Sequence, residues 1–406
     1  MSKLLVLPGN CDTLGGTLIT LSLLKIGFEN HNMSERLSIL IRADSLMDRY
    51  LQASGQSFCF QKISSSNQAQ FFKQAIQWVN QQPKDYPLLL DNCVYNYLLP
   101  TFLINAPRLR CSGRRIYHFC HDLAHSNTAL GFIARKLIFT CVSPRVLCNS
   151  RFTAAHVHRL MPNIQGILYQ PVNLKRFNDS PPMTPPKELL PILQSGYRII
   201  LTPSRITEPG LHNDKNLRSL IPVLAHLKAM GYHYHGVVIG EDKSQDQLNS
   251  RTLLESADKL GVAKCFTILA PTLTIEDYYK YANVVVTLAP REPFGRTVVE
   301  AIACGVPVIG SRTGGIGEIL GHFAPQWMVD PNDPVAVARA IVQVSIGADT
   351  PKLIAKGKSW VESQCSVMGY TRKIIELTEL VDSTDKLLQS QKDLKNTASE
   401  GKAKVF

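Results

Sequence analysis

The sequence predicts an α/β protein of two doubly wound parallel-sheet domains that face each other across a cleft. Three observations lead there. Short aliphatic runs alternate with longer helical stretches along most of the chain, as parallel strands joined by crossover helices do. The alternation is broken once, by a proline-rich segment, and then restarts. A chain of 406 residues with 45% hydrophobic content also exceeds what a single core usually holds.

The first half opens with a strand over residues 3–8, whose apolar run is too short for a secretory signal and lacks a small-residue cleavage site. Further strands are expected at 37–41, 58–62, 86–91, 115–120, 146–149 and 166–169, with helices near 17–28, 68–80 and 152–160. The most apolar stretch, 129–148, contains Arg135, Lys136, Pro144 and Arg145 and is not expected to span a membrane. Pro181, Pro182, Pro185 and Pro186 then fix φ and remove amide donors, which predicts a linker over 179–195.

After the linker, strands are expected at 198–202, 235–239, 266–270, 284–288, 306–310 and 327–329. Helices are expected at 216–230, 250–260, 275–281, 297–304 and 334–346. Domains therefore fall at 1–178 and 196–366, with a helix over 367–382 returning to the first. Residues 383–406 are polar and predicted to be a disordered tail.

The net charge of +12 is unevenly spread. Residues 1–194 carry 20 Lys and Arg against 10 Asp and Glu, and between Arg108 and Arg176 eleven basic residues meet one acid, Asp122. This excess leaves two readings open, a solvated basic surface or attraction to an anionic partner such as a membrane or a lipid-linked acceptor. Nucleic acid is not expected, because no reader motif and no interleaving of aromatic with basic residues occurs. The ten cysteines are scattered without metal-ligand spacing and suit reduced thiols in the cytoplasm, with no metal site.

The strongest chemical signal runs from Arg291 to Ile309, REPFGRTVVEAIACGVPVI. Pro293 and Gly295 keep Glu292 off the following helix, on the loop after a strand, so its carboxylate is expected to face the cleft. The helix begins near Thr297, and its first amides with the helix dipole suit a phosphate or diphosphate. Gly295 allows close backbone approach. Glu300 lies one turn in and cannot reach where Glu292 reaches, so the two acids serve different hydroxyls. Thr297 and Glu300 also fit a capping box.

This segment resembles the retaining glycosyltransferases of family 4, of GT-B fold, whose hallmark is two glutamates eight positions apart in the setting E-P-F-G. Glu292 and Glu300 have that spacing, and Ala301, Ala303, Gly305, Pro307 and Val308 continue the pattern. The resemblance implies that Glu292 contacts the donor sugar and Glu300 the nucleotide ribose. It implies that the backbone of Phe294, Gly295, Arg296, Thr297 and Val298 contacts sugar and diphosphate. Arg296 stands where the family often has an aliphatic residue, and a phosphate contact or exposure to solvent are both open to it.

The resemblance extends to Arg205 and Lys215, cations implied to neutralise the donor diphosphate, with Ser204 where a glycine is usual. Gly15 and Gly16 resemble the glycine-rich loop that approaches the donor phosphate. His121, before Asp122, resembles a histidine that bonds the donor sugar or positions the acceptor, and the turn at 313–318 resembles a second glycine-rich loop. The implied activity is transfer from a UDP- or GDP-linked sugar to a hydroxyl with retention, without metal or added cofactor. The acceptor classes implied are polysaccharide or lipid-linked intermediates. A non-catalytic protein of the same fold and a nucleotide-sugar epimerase are the alternatives.

Overall fold

The computed structural model describes residues 2–12, 15–53, 59–126, 128–181, 184–210 and 214–380. The expected tail at 383–406 lies outside the described residues, as do Pro182 of the linker, residues 13 and 14 of the first glycine-rich loop, and Asn213 beside Lys215.

Residues Leu4–Pro8 form β1, followed by α1 (Gly16–Asn30), β2 (Leu37–Arg42), α2 (Leu46–Ala53), β3 (Phe60–Ile63) and α3 (Gln68–Gln81). The first domain continues with β4 (Leu88–Asp91), α4 (Leu99–Cys111), β5 (Ile116–Cys120), α5 (Ala129–Val142), β6 (Arg145–Cys148), α6 (Arg151–Val157) and β7 (Ile164–Ile167). The seven strands lie in the order β3-β2-β1-β4-β5-β6-β7, all parallel. Helices cover both faces of such a sheet, so β1, Leu-Leu-Val-Leu-Pro, is buried along its whole length instead of alternating.

A short helix α7 (Leu190–Gln194) lies within the segment expected to be linker. The second domain follows with β8 (Arg198–Pro203), α8 (Leu220–Ala229), β9 (Tyr234–Ile239), α9 (Leu248–Lys259), β10 (Phe266–Leu269), α10 (Ile275–Tyr279) and β11 (Val284–Thr287). It ends with α11 (Arg296–Ala303), β12 (Val308–Ser311), α12 (Gly314–Gly321), β13 (Met328–Val329), α13 (Pro334–Ile346), α14 (Thr350–Cys365) and α15 (Val367–Leu377). Its six parallel strands run β10-β9-β8-β11-β12-β13. In each sheet the order reverses once, between β1 and β4 and between β8 and β11, and crevices at such reversals are where ligands bind in this class of sheet.

The two sheets carry separate hydrophobic cores. At the junction the chain crosses between them earlier than expected: Tyr169, Val172 and Phe177, assigned by sequence to the first domain, pack into the second core. α15 crosses back, and Tyr370, Ile374 and Ile375 join the first core. The contact is tight where α15 meets α1, since a Cβ on Gly27 would lie 1.8 Å from Thr371 Oγ1. Three helices of the first domain, α2, α4 and α5, were not among those expected, and α12 replaces an expected glycine-rich turn. Among the described residues no helix is long and apolar enough to cross a membrane.

Candidate functional site

The carboxyl ends of β8 and β11 carry the second-domain wall of the cleft. Past β11 the chain turns through Glu292 and Phe294 to Gly295, whose φ of 104° lies in the left-handed region that glycine tolerates. Gly295 is the N-cap of α11 and no side chain caps that helix. The capping box open to Thr297 and Glu300 is therefore not used. Val298 N donates to Gly295 O at 3.0 Å, so it is spent within the turn, and Arg296 and Thr297 supply the helix's remaining open amides.

Lys215 Nζ meets Glu292 Oε2 at 2.5 Å, and both side chains remain partly exposed. The loop that aims Lys215 is braced from both sides. Asp214 accepts from Asn216 N at 2.7 Å and from Arg218 at 2.8 Å, and Asn216 Nδ2 donates to Pro331 O at 2.8 Å. The Glu292 loop rests on the start of α12, with Gly315 N donating to Glu292 O at 2.7 Å. A Cβ on Gly315 would stand 2.3 Å from Phe294 O, and one on Gly314 would stand 2.8 Å from Glu292 O. The second glycine-rich segment thus supports the glutamate loop by letting backbone lie on backbone.

Glu300 turns away from that pair. It is buried, its carboxyl pushed up by burial while the Arg296 guanidinium opposes the rise, and Tyr279 OH donates to Oε2 at 3.1 Å. Arg205 is exposed on the loop after β8. The structure therefore joins Lys215 to Glu292 directly and places Glu300 with Tyr279.

Of the two readings open to Arg296, simple exposure to solvent gives way to a side chain that spans the cleft. Its guanidinium donates to Pro171 O at 3.0 Å, Thr20 Oγ1 at 2.8 Å and Gln170 Oε1 at 3.2 Å. Gln170 Nε2 lies 2.6 Å from His121 Nδ1, and His121 Nε2 lies 2.6 Å from Asp91 Oδ1. A polar chain thus runs from α11 to the end of β4. Both ring nitrogens of His121 are held, which assigns the proton to Nε2 facing Asp91 and leaves Nδ1 to accept from the amide. His118, within β5, is fully buried, and burial lowers its pKa to about 3.

More contacts close the cleft. Ser150 Oγ donates to Pro293 O at 2.5 Å, and Glu318 accepts from Arg151 N at 3.0 Å and Phe152 N at 3.1 Å. Arg291 Nη2 lies 3.0 Å from His125 Nε2. Gly16 begins α1 beside the Arg296 guanidinium, while Gly15 is exposed at its N-cap. Asp91, Gln170 and Tyr279 had no motif to mark them; the one available signal for Asp91 was an acid closing the apolar run Leu88-Leu89-Leu90. Among the described residues no group of three or more His, Cys, Asp or Glu side chains could hold a metal ion.

Residues 195–359 match the family model described as glycosyl transferases group 1. That span holds Lys215, Glu292 and Glu300. A D-inositol 3-phosphate glycosyltransferase of Thermobispora bispora is 23% identical over 244 residues, covering 59% of this chain and 56% of that protein. The corresponding protein of Corynebacterium jeikeium is 32% identical over 117 residues, covering 26% of this chain and 28% of its own. The chain thus spans between about a quarter and just over half of the length of these curated relatives.

Among solved structures, Anabaena HepE in complex with UDP and glucose aligns with a TM-score of 0.72 at 16% identity, covering 94% of this chain and 100% of that one. Sucrose-phosphate synthase from Thermosynechococcus elongatus aligns at 0.66 and 17% identity, covering 93% and 98%. The chain has their fold, two Rossmann-like parallel-sheet domains in the GT-B arrangement.

Proposed function

We propose that this protein is a retaining glycosyltransferase that moves a sugar from a UDP- or GDP-linked donor to a hydroxyl acceptor in the cytoplasm. The observation that carries the reading is the Lys215–Glu292 pair, set where the sheet order reverses and inside the segment matched by the glycosyl transferases group 1 model. HepE was solved with UDP and glucose, which favours a uridine nucleotide.

In this reading the donor diphosphate takes Lys215 from Glu292, with Arg205 and the amides of Arg296 and Thr297 adding positive potential. Glu292, released, bonds sugar hydroxyls, while Glu300, held by Tyr279, takes the ribose. The bond from the anomeric carbon to the diphosphate breaks, and the acceptor oxygen bonds that carbon on the same face. Its proton passes to the departing diphosphate oxygen. The cations supply the charge stabilisation that a divalent ion would otherwise give. His121, fixed by Asp91 and Gln170, shapes the sugar-facing wall of the first domain. Polysaccharides and lipid-linked intermediates are the acceptor classes proposed.

A release assay with UDP-, GDP- and ADP-sugars in the presence of membrane extract tests the proposal, with nucleotide release expected from a UDP- or GDP-sugar. Glu292→Ala and Lys215→Ala are each expected to lower turnover by about 10²-fold or more, with thermal unfolding little changed. Transfer near the wild-type rate in both variants would refute the site.

A further inference from the structure

We propose that the outer face of α4 and α5 docks on an anionic lipid bilayer. This deepens the transfer reading, on which it rests for the lipid-anchored acceptor it implies. The inner face of α5 buries Ile138, Phe139 and Val142. Its outer face carries Leu130, Ile133 and Leu137, exposed by 80%, 53% and 61%. The spacing places them one turn apart in a single stripe. α4 packs alongside through Phe102 against Phe139, ring centroids 5.8 Å apart, and adds Leu103 and Ile104, exposed by 64% and 78%. Five exposed aliphatics on two packed helices mark a surface that something covers.

Charge selects the occupant. Many basic residues of this region are committed internally: Arg114 donates to the carbonyls of Val79, Gln82 and Pro83, Arg135 to His125 O, and Arg115 and Arg145 pair with Glu379. Arg108, Arg110 and Lys136, on α4 and α5 themselves, are exposed and make no ion pair among the described residues. Between residues 92 and 178 the sole acid is Asp122, and it is turned inward to Asn92 Nδ2 and Ala124 N. A second copy would bring like charges together. A bilayer with anionic headgroups offers an apolar interior and a negative surface at once.

The location also lies near the cleft, since His125 lines the adjoining cavity and its Nε2 lies 3.0 Å from Arg291 Nη2. Leu130 lies in the first turn of α5, at the end of the loop from His121. Beside the stripe opens a cavity of about 720 Å³ lined by Leu123, Phe132, Ile133, His156 and Arg159, and Ile133 belongs to both. An acceptor with an apolar anchor and an anionic or hydroxylated head could pass from the docked bilayer into this cavity without leaving the surface.

The test sediments the full chain with phosphatidylcholine vesicles, with and without phosphatidylglycerol, and measures UDP and GDP binding separately by calorimetry. The wild type is expected to sediment with the anionic vesicles and to be released by high salt. Leu130→Asp with Leu137→Asp should weaken this at least ~10-fold, and Arg108→Glu or Lys136→Glu at least ~5-fold each, with UDP binding and thermal unfolding unchanged. Docking is overturned if the wild type stays in the supernatant, or if the variants sediment like the wild type. It is overturned in favour of a second copy if ultracentrifugation shows a vesicle-free dimer that the stripe variants dissociate. Absence of both UDP and GDP binding in the wild type would instead sink the transfer reading and leave docking standing.

Discussion

Lys215 and Glu292, on the second-domain wall of the cleft, keep 17% and 23% of their side chains exposed, whereas His121 and Asp91, on the first-domain wall, keep 6% and 1%. A pair in contact with water exchanges one partner for another at little cost. A buried pair cannot, because removing one member strands the other in a low dielectric. On the proposed function, the second wall trades its internal ion pair for a ligand while the first holds one shape.

The sharpest way to break this contrast is to remove one member from each wall. Lys215→Ala should abolish nearly all transfer and move stability by less than about 1 kcal/mol. Asp91→Ala, which leaves the buried His121 Nε2–H without its acceptor, should cost about 1.5–3 kcal/mol, read by denaturant unfolding. Equal stability losses would erase the distinction. Next in size is Gly315→Ala, whose methyl would press on Phe294 O. A loss of about 1–3 kcal/mol is expected, with a fall in turnover greater than that of Gly27→Ala, whose methyl meets the Thr371 side chain of α15 and not the Glu292 loop.

A last test concerns acid. Burial lowers His118 in the first sheet to about 3 and His235 in the second to about 4. Unfolded histidine takes up its proton near 6.5, so between that pH and the folded values the unfolded chain binds more protons. Stability is then lost as pH falls, by at most about 1.4 kcal/mol per pH unit for each histidine. His118→Gln should flatten the dependence of thermal unfolding on pH between about 6 and 4, leaving the part due to His235. An unchanged slope would show that His118 is protonated in the folded state.

The alternation of strand and helix was readable because most of the β-strands are short, largely apolar runs and most of the expected crossover helices are longer periodic ones. α12 was not, since its glycines, needed for the backbone of Glu292 and Phe294 to lie against it, are also the residues of a turn. α5 was obscured because it is apolar on both faces, which hides the helical period. Glu292 was marked by a motif, and Lys215 by the family resemblance that extends to its loop. Asp91, Gln170 and Tyr279 were not, because each acts on a residue 30, 49 or 21 positions away, and no local pattern records that distance.

By itself the sequence determined two parallel-sheet domains and the loop that presents Glu292, because periodicity, proline and glycine act over a few residues, whereas Lys215 was marked only by the family resemblance. Only the tertiary structure decided that Arg296 crosses the cleft to Gln170, that Glu300 is taken inward by Tyr279, and that α5 leaves Leu130, Ile133 and Leu137 uncovered. Those outcomes depend on which surfaces meet when two sheets and their helices pack, and burial and partner choice are properties of the packed whole.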